Sequence, residues 1–368
     1  MEHDEGRTRF TRRRFLQQAA LGALALGAGS VLARGARPQR GRTVTYKALP
    51  RWRGFNLLEM FTTRSGGNWR EDDFRWIQDW GFDFVRLPLC YTLWIRDDDV
   101  YQLDEAGLAK VDRAVELGRK YGIHVNVAFH RGPGYSVNGE RQEPWNLWKS
   151  KAAQDAFVFH WSAFAKRYKG ISSSEVSFNL INEPAAPVAD MTRDEHKHVV
   201  KITTEAIHKL DPERLVIADG VQWASEACPE LADVPVAQSC RAYAPGWLTH
   251  FRAEWAGGND RQPLPTWPGQ DWNRAKLEEF YRPWAELKKQ GIGVHCGEGG
   301  AYNKTPHPVF LAWFRDVMEV LKGHGIGYAL WNFRGSFGVL DSDRADVAYE
   351  DFQGHKLDRK LLELMREY

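Results

Sequence analysis

Two glutamates stand out in this sequence because of what surrounds them. Glu183 closes an apolar run, with Asn182 before it and Pro184 after it, and Glu298 lies between Gly297 and Gly299 at the end of a second run. Arg86, His130, Tyr243 and Trp331 occupy matching places in other runs. A lone glutamate at such a place is ordinarily a solvated rim carboxylate. Two of them, joined by an arginine, a histidine, an asparagine, a tyrosine and a tryptophan, suit a reaction that needs a proton donor on one side and a nucleophile on the other. Cleavage of a glycosidic bond, with its oxocarbenium-like transition state, is such a reaction. The 16 tryptophans fit that chemistry, because aromatic faces stack on the C–H faces of sugar rings as well as packing cores.

The elements that must position these residues follow from hydrophobic periodicity. Residues 53–57, 83–89, 124–130, 176–182, 215–219, 238–243, 293–298 and 328–332 read as strands. Between them, residues 71–80, 106–121, 152–168, 193–210, 274–290 and 307–323 carry apolar side chains at three-to-four spacing and read as helices. Alternation of this kind implies parallel pairing, and eight units close into a barrel, so the expected class is α/β, a single (β/α)8 TIM barrel. An open doubly wound sheet would carry a glycine-rich phosphate turn after its first strand, and none is present. In a barrel the active site forms at the C-terminal ends of the strands. The second strand delivers Arg86 there, the third His130, the fourth Asn182 and Glu183, the sixth Tyr243, the seventh Glu298 and the eighth Trp331.

From residue 51 to the end the sequence resembles glycoside hydrolase family 5, the cellulase-like family of clan A. The most specific match is Phe178-Asn179-Leu180-Ile181-Asn182-Glu183-Pro184, which is similar to the strand-four signature ending in Asn-Glu-Pro. Gly297-Glu298-Gly299, Val85-Arg86-Leu87-Pro88, the loop from His130 to Tyr135 and Leu330-Trp331-Asn332 look like further family motifs. That loop and the segment after Trp331 most resemble exo-β-1,3-glucanase-like members. The resemblance implies a retaining hydrolase of a β-linked glycan, with β-glucan favoured. Glu183 would be acid/base and Glu298 nucleophile, the two roughly 5–5.5 Å apart. It also implies that Arg86 and Tyr243 bond Glu298, that Asn182 bonds the sugar 2-hydroxyl, that His130 bonds another hydroxyl, and that Trp331 floors the ring. No cofactor or metal is implied.

One position departs from the family pattern. Where members carry His-x-Tyr at the end of strand six, this chain has Arg241-Ala242-Tyr243. A permanent charge aimed at Glu183 would depress the pKa that a proton donor needs raised. Arg241 is therefore expected to turn away and pair with another carboxylate, the alternative being that it reaches an anionic sugar. Trp94, Trp145, Trp148, Trp223, Trp247, Trp255 and Trp267 are candidate subsite aromatics, of which only some can face a cleft. Glu59 either bonds a distal sugar or is a solvated loop residue. Residues 244–271, rich in Gly, Pro and Trp, read as a binding loop or lid.

The bulk composition bounds the alternatives. A length of 368 residues with 43% apolar side chains suffices for one large core. The 50 basic and 48 acidic residues leave a formal charge of +2, too little for a cationic field that would hold nucleic acid. The four cysteines are scattered and show no metal-ligand spacing, so they read as buried thiols. Residues 1–36 read as a twin-arginine signal peptide: Arg12, Arg13 and Arg14 precede an apolar stretch over 19–33, shorter than the roughly 20 residues of a membrane span. Cleavage is expected near Ala33 or Ala36, leaving a lead-in over 37–46 and a catalytic domain over 47–368. The mature protein is then a periplasmic or extracellular monomer, without a stable membrane anchor, acting on an oligo- or polysaccharide. The competing readings are a metal hydrolase assembled from His124, His130 and His295, a carbohydrate-binding barrel with impaired catalysis, and a β-mannan or acidic-glycan hydrolase.

Overall fold

The computed structural model describes residues 44–137 and 143–368. Strands and helices alternate along it: β1 (Arg53–Asn56), α1 (Glu71–Asp79), β2 (Phe84–Cys90), α2 (Glu105–Tyr121), β3 (His124–Gly132), α3 (Lys151–Arg167), β4 (Val176–Asn179), α4 (Arg193–Leu210), β5 (Val216–Asp219), β6 (Ala237–Ala242), α5 (Arg274–Lys289), β7 (Val294–Gly299), α6 (His307–Gly323), β8 (Gly327–Leu330) and α7 (Arg359–Glu367). The parallel strands pair in the order β2-β1-β8-β7-β6-β5-β4-β3, and β2 also pairs with β3, so the sheet closes on itself. This is the (β/α)8 barrel that the alternation predicts. Each of the eight runs forms one strand. The segment expected to be a signal peptide and most of the expected lead-in lie outside the described residues. Among the described residues no helix is long and apolar enough to cross a membrane.

Local chemistry sets the helix ends. Asp104 caps α2 by accepting from Gly107 N–H at 3.0 Å, and Gly122 ends it in the left-handed region at φ 67°, where a Cβ would be strained. Thr192 and Glu195 form a reciprocal capping box at the start of α4. Between β5 and β6 no full helix forms. Gln222, Trp223 and Ala224 have φ of 53°, 57° and 55°, which a continuing right-handed helix does not allow.

Strand period places two kinds of residue on the inner wall. Along β2 the row is Phe84 then Arg86, along β5 Ile217 then Asp219, and along β6 Ala237, Ser239 and Arg241. Phe84, Ile217 and Ala237 pack with Trp52, Leu215 and Ala329 into a small apolar plug at the N-terminal end. The alternate residues face the helices and form the main core, where Phe129 stacks on the buried Trp161 at 4.0 Å between ring centroids. Truncating either aromatic to alanine costs about 3–5 kcal/mol. Arg214, fully buried just before β5, donates to the carbonyls of Val176, Tyr168 and Ile171 and pairs with Asp211, tying three segments together.

Candidate active site

Glu298 is carried by an irregular strand. The β6–β7 register shifts between Cys296 and Glu298, a bulge that brings Glu298 opposite Arg241. Arg86 Nη1 donates to Glu298 Oε1 at 2.5 Å and Tyr243 Oη to Glu298 Oε2 at 3.3 Å. Arg86 in turn is fixed by Asn179 Oδ1 at 2.9 Å through Nε, by Asn56 Oδ1 at 3.2 Å through Nη1, and by Asn182 Oδ1 at 2.9 Å through Nη2. It is 1% exposed, so its charge acts on Glu298 with little screening by water.

Glu183 stands just past the end of β4 with φ 51°, a conformation that a glutamate adopts only when its neighbours impose it. Its N–H donates to Asp219 Oδ2 at 2.9 Å, and its carbonyl accepts from Tyr135 Oη at 2.7 Å. Both sides of the residue are thereby pinned. Its side chain is 13% exposed, and the carboxyl is pushed up to about 8, first by burial and then by the Glu298 charge, against the opposing pull of Arg241. A carboxyl in this state still holds its proton at neutral pH.

Arg241 does not turn away from Glu183, contrary to the sequence expectation. Its Nε donates to Glu183 Oε1 at 2.8 Å, while Nη2 donates to Asn182 Oδ1 at 2.8 Å, pairs with Asp219 and lies 3.3 Å from Glu298 Oε1. Nη1 donates to Ser239 Oγ and to the Cys240 carbonyl. The expected partner carboxylate exists and is Asp219, but one flat guanidinium spans it and both glutamates together. Gly297 makes room for this: a Cβ there would meet Ser239 Oγ at 2.7 Å and Arg241 Nη1 at 3.2 Å.

The remaining residues also converge. Asn182 is fully buried and its Oδ1 accepts from both guanidiniums, which orients the amide and leaves Nδ2 with no partner among the described residues. The His130 and Trp331 rings lie 5.7 Å apart in a stacked arrangement, and Phe61 packs edge-on against both, at 4.5 and 5.3 Å. Of the candidate subsite aromatics, Trp94 and Trp148 are buried in the core and Trp247 and Trp267 pack against it, whereas Trp145, Trp223 and Trp255 are exposed. Trp255 sits edge-on to Tyr302 at 4.6 Å. Both rings pack against Phe337, which itself packs on Tyr243. Residues 244–271 hold single helical turns at Gly246–Thr249 and Glu254–Ala256 in otherwise irregular chain. Glu59 lines a cavity of about 230 Å³ together with Asn56, Asp73 and Arg334, where burial and the Asp73 charge push it up to about 7.

The metal reading needs three histidines together, and they are not. His124 and His295 begin β3 and β7 and pack against Trp52 and Phe84 at the N-terminal end, while His130 lies near the other end of β3. Among the described residues no group of three or more His, Cys, Asp or Glu side chains is arranged to hold a metal ion.

Sequence reasoning missed Asp219, Asn56, Phe61 and Tyr135. Asp219 and Asn56 were within reach, since each ends a strand as a polar residue, close to the signal that singled out Tyr243 and Glu298 at the ends of their runs. Phe61 lies on a loop and Tyr135 in a two-residue strand folded back on the end of β3, where residue type alone gives no sign of orientation.

Residues 43–336 match the family described as cellulase (glycosyl hydrolase family 5). A solved glycoside hydrolase is 39% identical, with a TM-score of 0.81 over 86% of this chain and 99% of that one. Endoglucanase C of Acetivibrio thermocellus is 27% identical over 311 residues, 76% of this chain and 88% of the relative, and cellodextrinase A of Ruminococcus flavefaciens is 29% identical over 267 residues, 70% and 76%. With the closed barrel and its converging strand ends, the match over most of the sequence leads to one conclusion: the chain belongs to glycosyl hydrolase family 5 and is a glycosidase.

Proposed function

We propose that this glycosidase hydrolyses β-1,4-linked glucan or its oligosaccharides with retention of configuration, Glu183 acting as acid/base and Glu298 as nucleophile. The observation that carries the proposal is the unlike treatment of the two carboxyls. Glu298 accepts hydrogen bonds from a buried arginine on one oxygen and from a tyrosine on the other, which fixes the direction of its carboxyl group. Glu183 is buried beside the Glu298 charge, which favours the protonated, donating form. In the first step Glu183 gives its proton to the leaving oxygen as Glu298 bonds the anomeric carbon. In the second, Glu183 takes a proton from the water that displaces Glu298.

Asn182 Nδ2 is the donor for the sugar 2-hydroxyl, because both guanidiniums occupy its oxygen. His130 bonds a second hydroxyl and Trp331 floors the ring, with Phe61 packed behind both. Trp255, exposed and packed on the buried Phe337 that also contacts Tyr243, offers a ring face for a distal sugar. A neutral backbone is favoured over an acidic one, since the Arg241 nitrogens are already engaged inside the protein. The endoglucanase and cellodextrinase relatives support a β-1,4-glucan. The twin-arginine motif supports export by that route and a site of action in the periplasm or outside the cell.

A panel of β-1,4-glucan, β-1,3-glucan, β-mannan and polyuronide with sizing of the products tests the substrate. Preferred cleavage of β-1,4-glucan, abolished by Glu183→Gln, is expected. Preference for mannan or polyuronide would overturn the substrate, and sugar binding without turnover on any of them would favour the impaired barrel.

A further inference from the structure

The buried network around the two glutamates contains five charged side chains. Glu183, Glu298 and Asp219 are the carboxyls, and Arg86 and Arg241 the guanidiniums. Three acids against two permanent cations make the cluster neutral only when one acid keeps its proton. Relative to the neutral imidazole expected where Arg241 stands, this chain has added a positive charge whose Nε touches the acid that must stay protonated. A guanidinium alone at that distance would stabilise the carboxylate and weaken the donor.

Asp219 is built to counter it. Its side chain is fully buried, Oδ2 accepts from Arg241 Nη2 and from the Glu183 N–H, and Oδ1 accepts from Asn179 Nδ2 at 2.9 Å. Asn179 in turn accepts from Arg86. The groups facing Glu183 are then Arg86 from β2, Asp219 from β5, Arg241 from β6 with Tyr243 just past its end, Glu298 from β7, and Tyr135 from the two-residue strand that folds back on β3. Burial keeps both tyrosines neutral, so the balance rests on the five charges.

We propose that Asp219 is a positioning residue that cancels the charge of Arg241 and so keeps Glu183 a proton donor. This rests on the acid/base role proposed for Glu183. In Asp219→Asn the cluster becomes neutral with Glu183 ionised, while the asparagine oxygen can still accept from Arg241 and from the Glu183 N–H.

The test is the pH profile of kcat/KM on a β-glucoside with a poor leaving group. In Asp219→Asn the basic limb should move down by ~1–3 pH units, the shift expected from an unopposed neighbouring cation. The loss at neutral pH should be large for poor leaving groups and small for a dinitrophenyl glycoside, which needs no proton. Asp219→Asn/Arg241→Gln, with both charges gone, should return the limb towards the parent position. An unmoved limb, with a loss uniform across pH and leaving group, would reduce Asp219 to a structural part and overturn the proposal. Should Asp219→Asn not fold, Arg241→Gln decides: its limb must rise, and an unmoved or lower limb overturns the proposal. Glu183→Gln is run in parallel. Near-normal activity there sinks the acid/base reading itself, whereas an inactive Glu183→Gln with an unmoved Asp219→Asn limb sinks only the role of Asp219.

Discussion

Replacing Glu183 by glutamine separates what this side chain does for the fold from what it does for the reaction. The amide oxygen can still accept from Arg241 Nε, so the 2.8 Å contact survives, and what disappears is ionisation. The carboxyl is raised from the ordinary 4.5 to about 8. A group whose folded-state pKa is raised contributes stability that is complete below the unfolded value and is lost as pH rises through the folded one. For Glu183 the loss accumulates between 4.5 and about 8, and at ~1.4 kcal/mol per unit it amounts to on the order of a few kcal/mol. Glutamine escapes that loss. Urea unfolding at about pH 5 and about pH 9 should therefore show the variant gaining on the parent by a few kcal/mol at the higher pH. Hydrolysis of a glucoside with a poor leaving group should fall by ~10²–10⁴-fold, the worth of a general acid. A dinitrophenyl glycoside with azide, which needs neither acid nor base, should recover much of the rate. Parallel stability curves at the two pH values, or near-normal hydrolysis of the poor substrate, would refute the reasoning.

Other consequences follow from the same contacts. For the parent enzyme, kcat/KM on a poor leaving group should fall as pH rises through about 8, where Glu183 gives up its proton. A basic limb near the ordinary carboxylate range would contradict this. Gly297→Ala puts a Cβ 2.7 Å from Ser239 Oγ and 3.2 Å from Arg241 Nη1, so Arg241 must shift; kcat should drop by ~10²-fold with the fold retained by circular dichroism. Arg214→Met removes a buried cation from Asp211 and three carbonyls and should cost about 3–5 kcal/mol in urea unfolding without moving the basic limb.

The barrel was legible because each strand is a short apolar run and each helix a longer periodic one, so 83–89 and 106–121 differ in both length and period. The candidate site was legible where an apolar run closes on an unusual polar residue, as at Glu183 and Glu298, or is interrupted by a charge, as at Arg86. Arg241 was noticed but its direction was misjudged, because a side chain's orientation depends on a partner from another strand. Here that partner is Asp219, 22 positions away in the chain. The bulge that turns Glu298 inwards leaves no mark on the sequence beyond the small residue at Gly297. Trp94 and Trp148 were open candidates for the cleft and prove to be core, since tryptophan serves both places equally well.

The most direct test of the central claim is to trap the covalent intermediate. A 2-deoxy-2-fluoro-β-glucoside or cellobioside with a dinitrophenyl leaving group should inactivate the enzyme by forming a glycosyl ester that turns over slowly. Peptide mass spectrometry should then place the sugar on Glu298. A label on any other residue, or an enzyme that forms no adduct and releases a product of inverted anomeric configuration, would contradict the account.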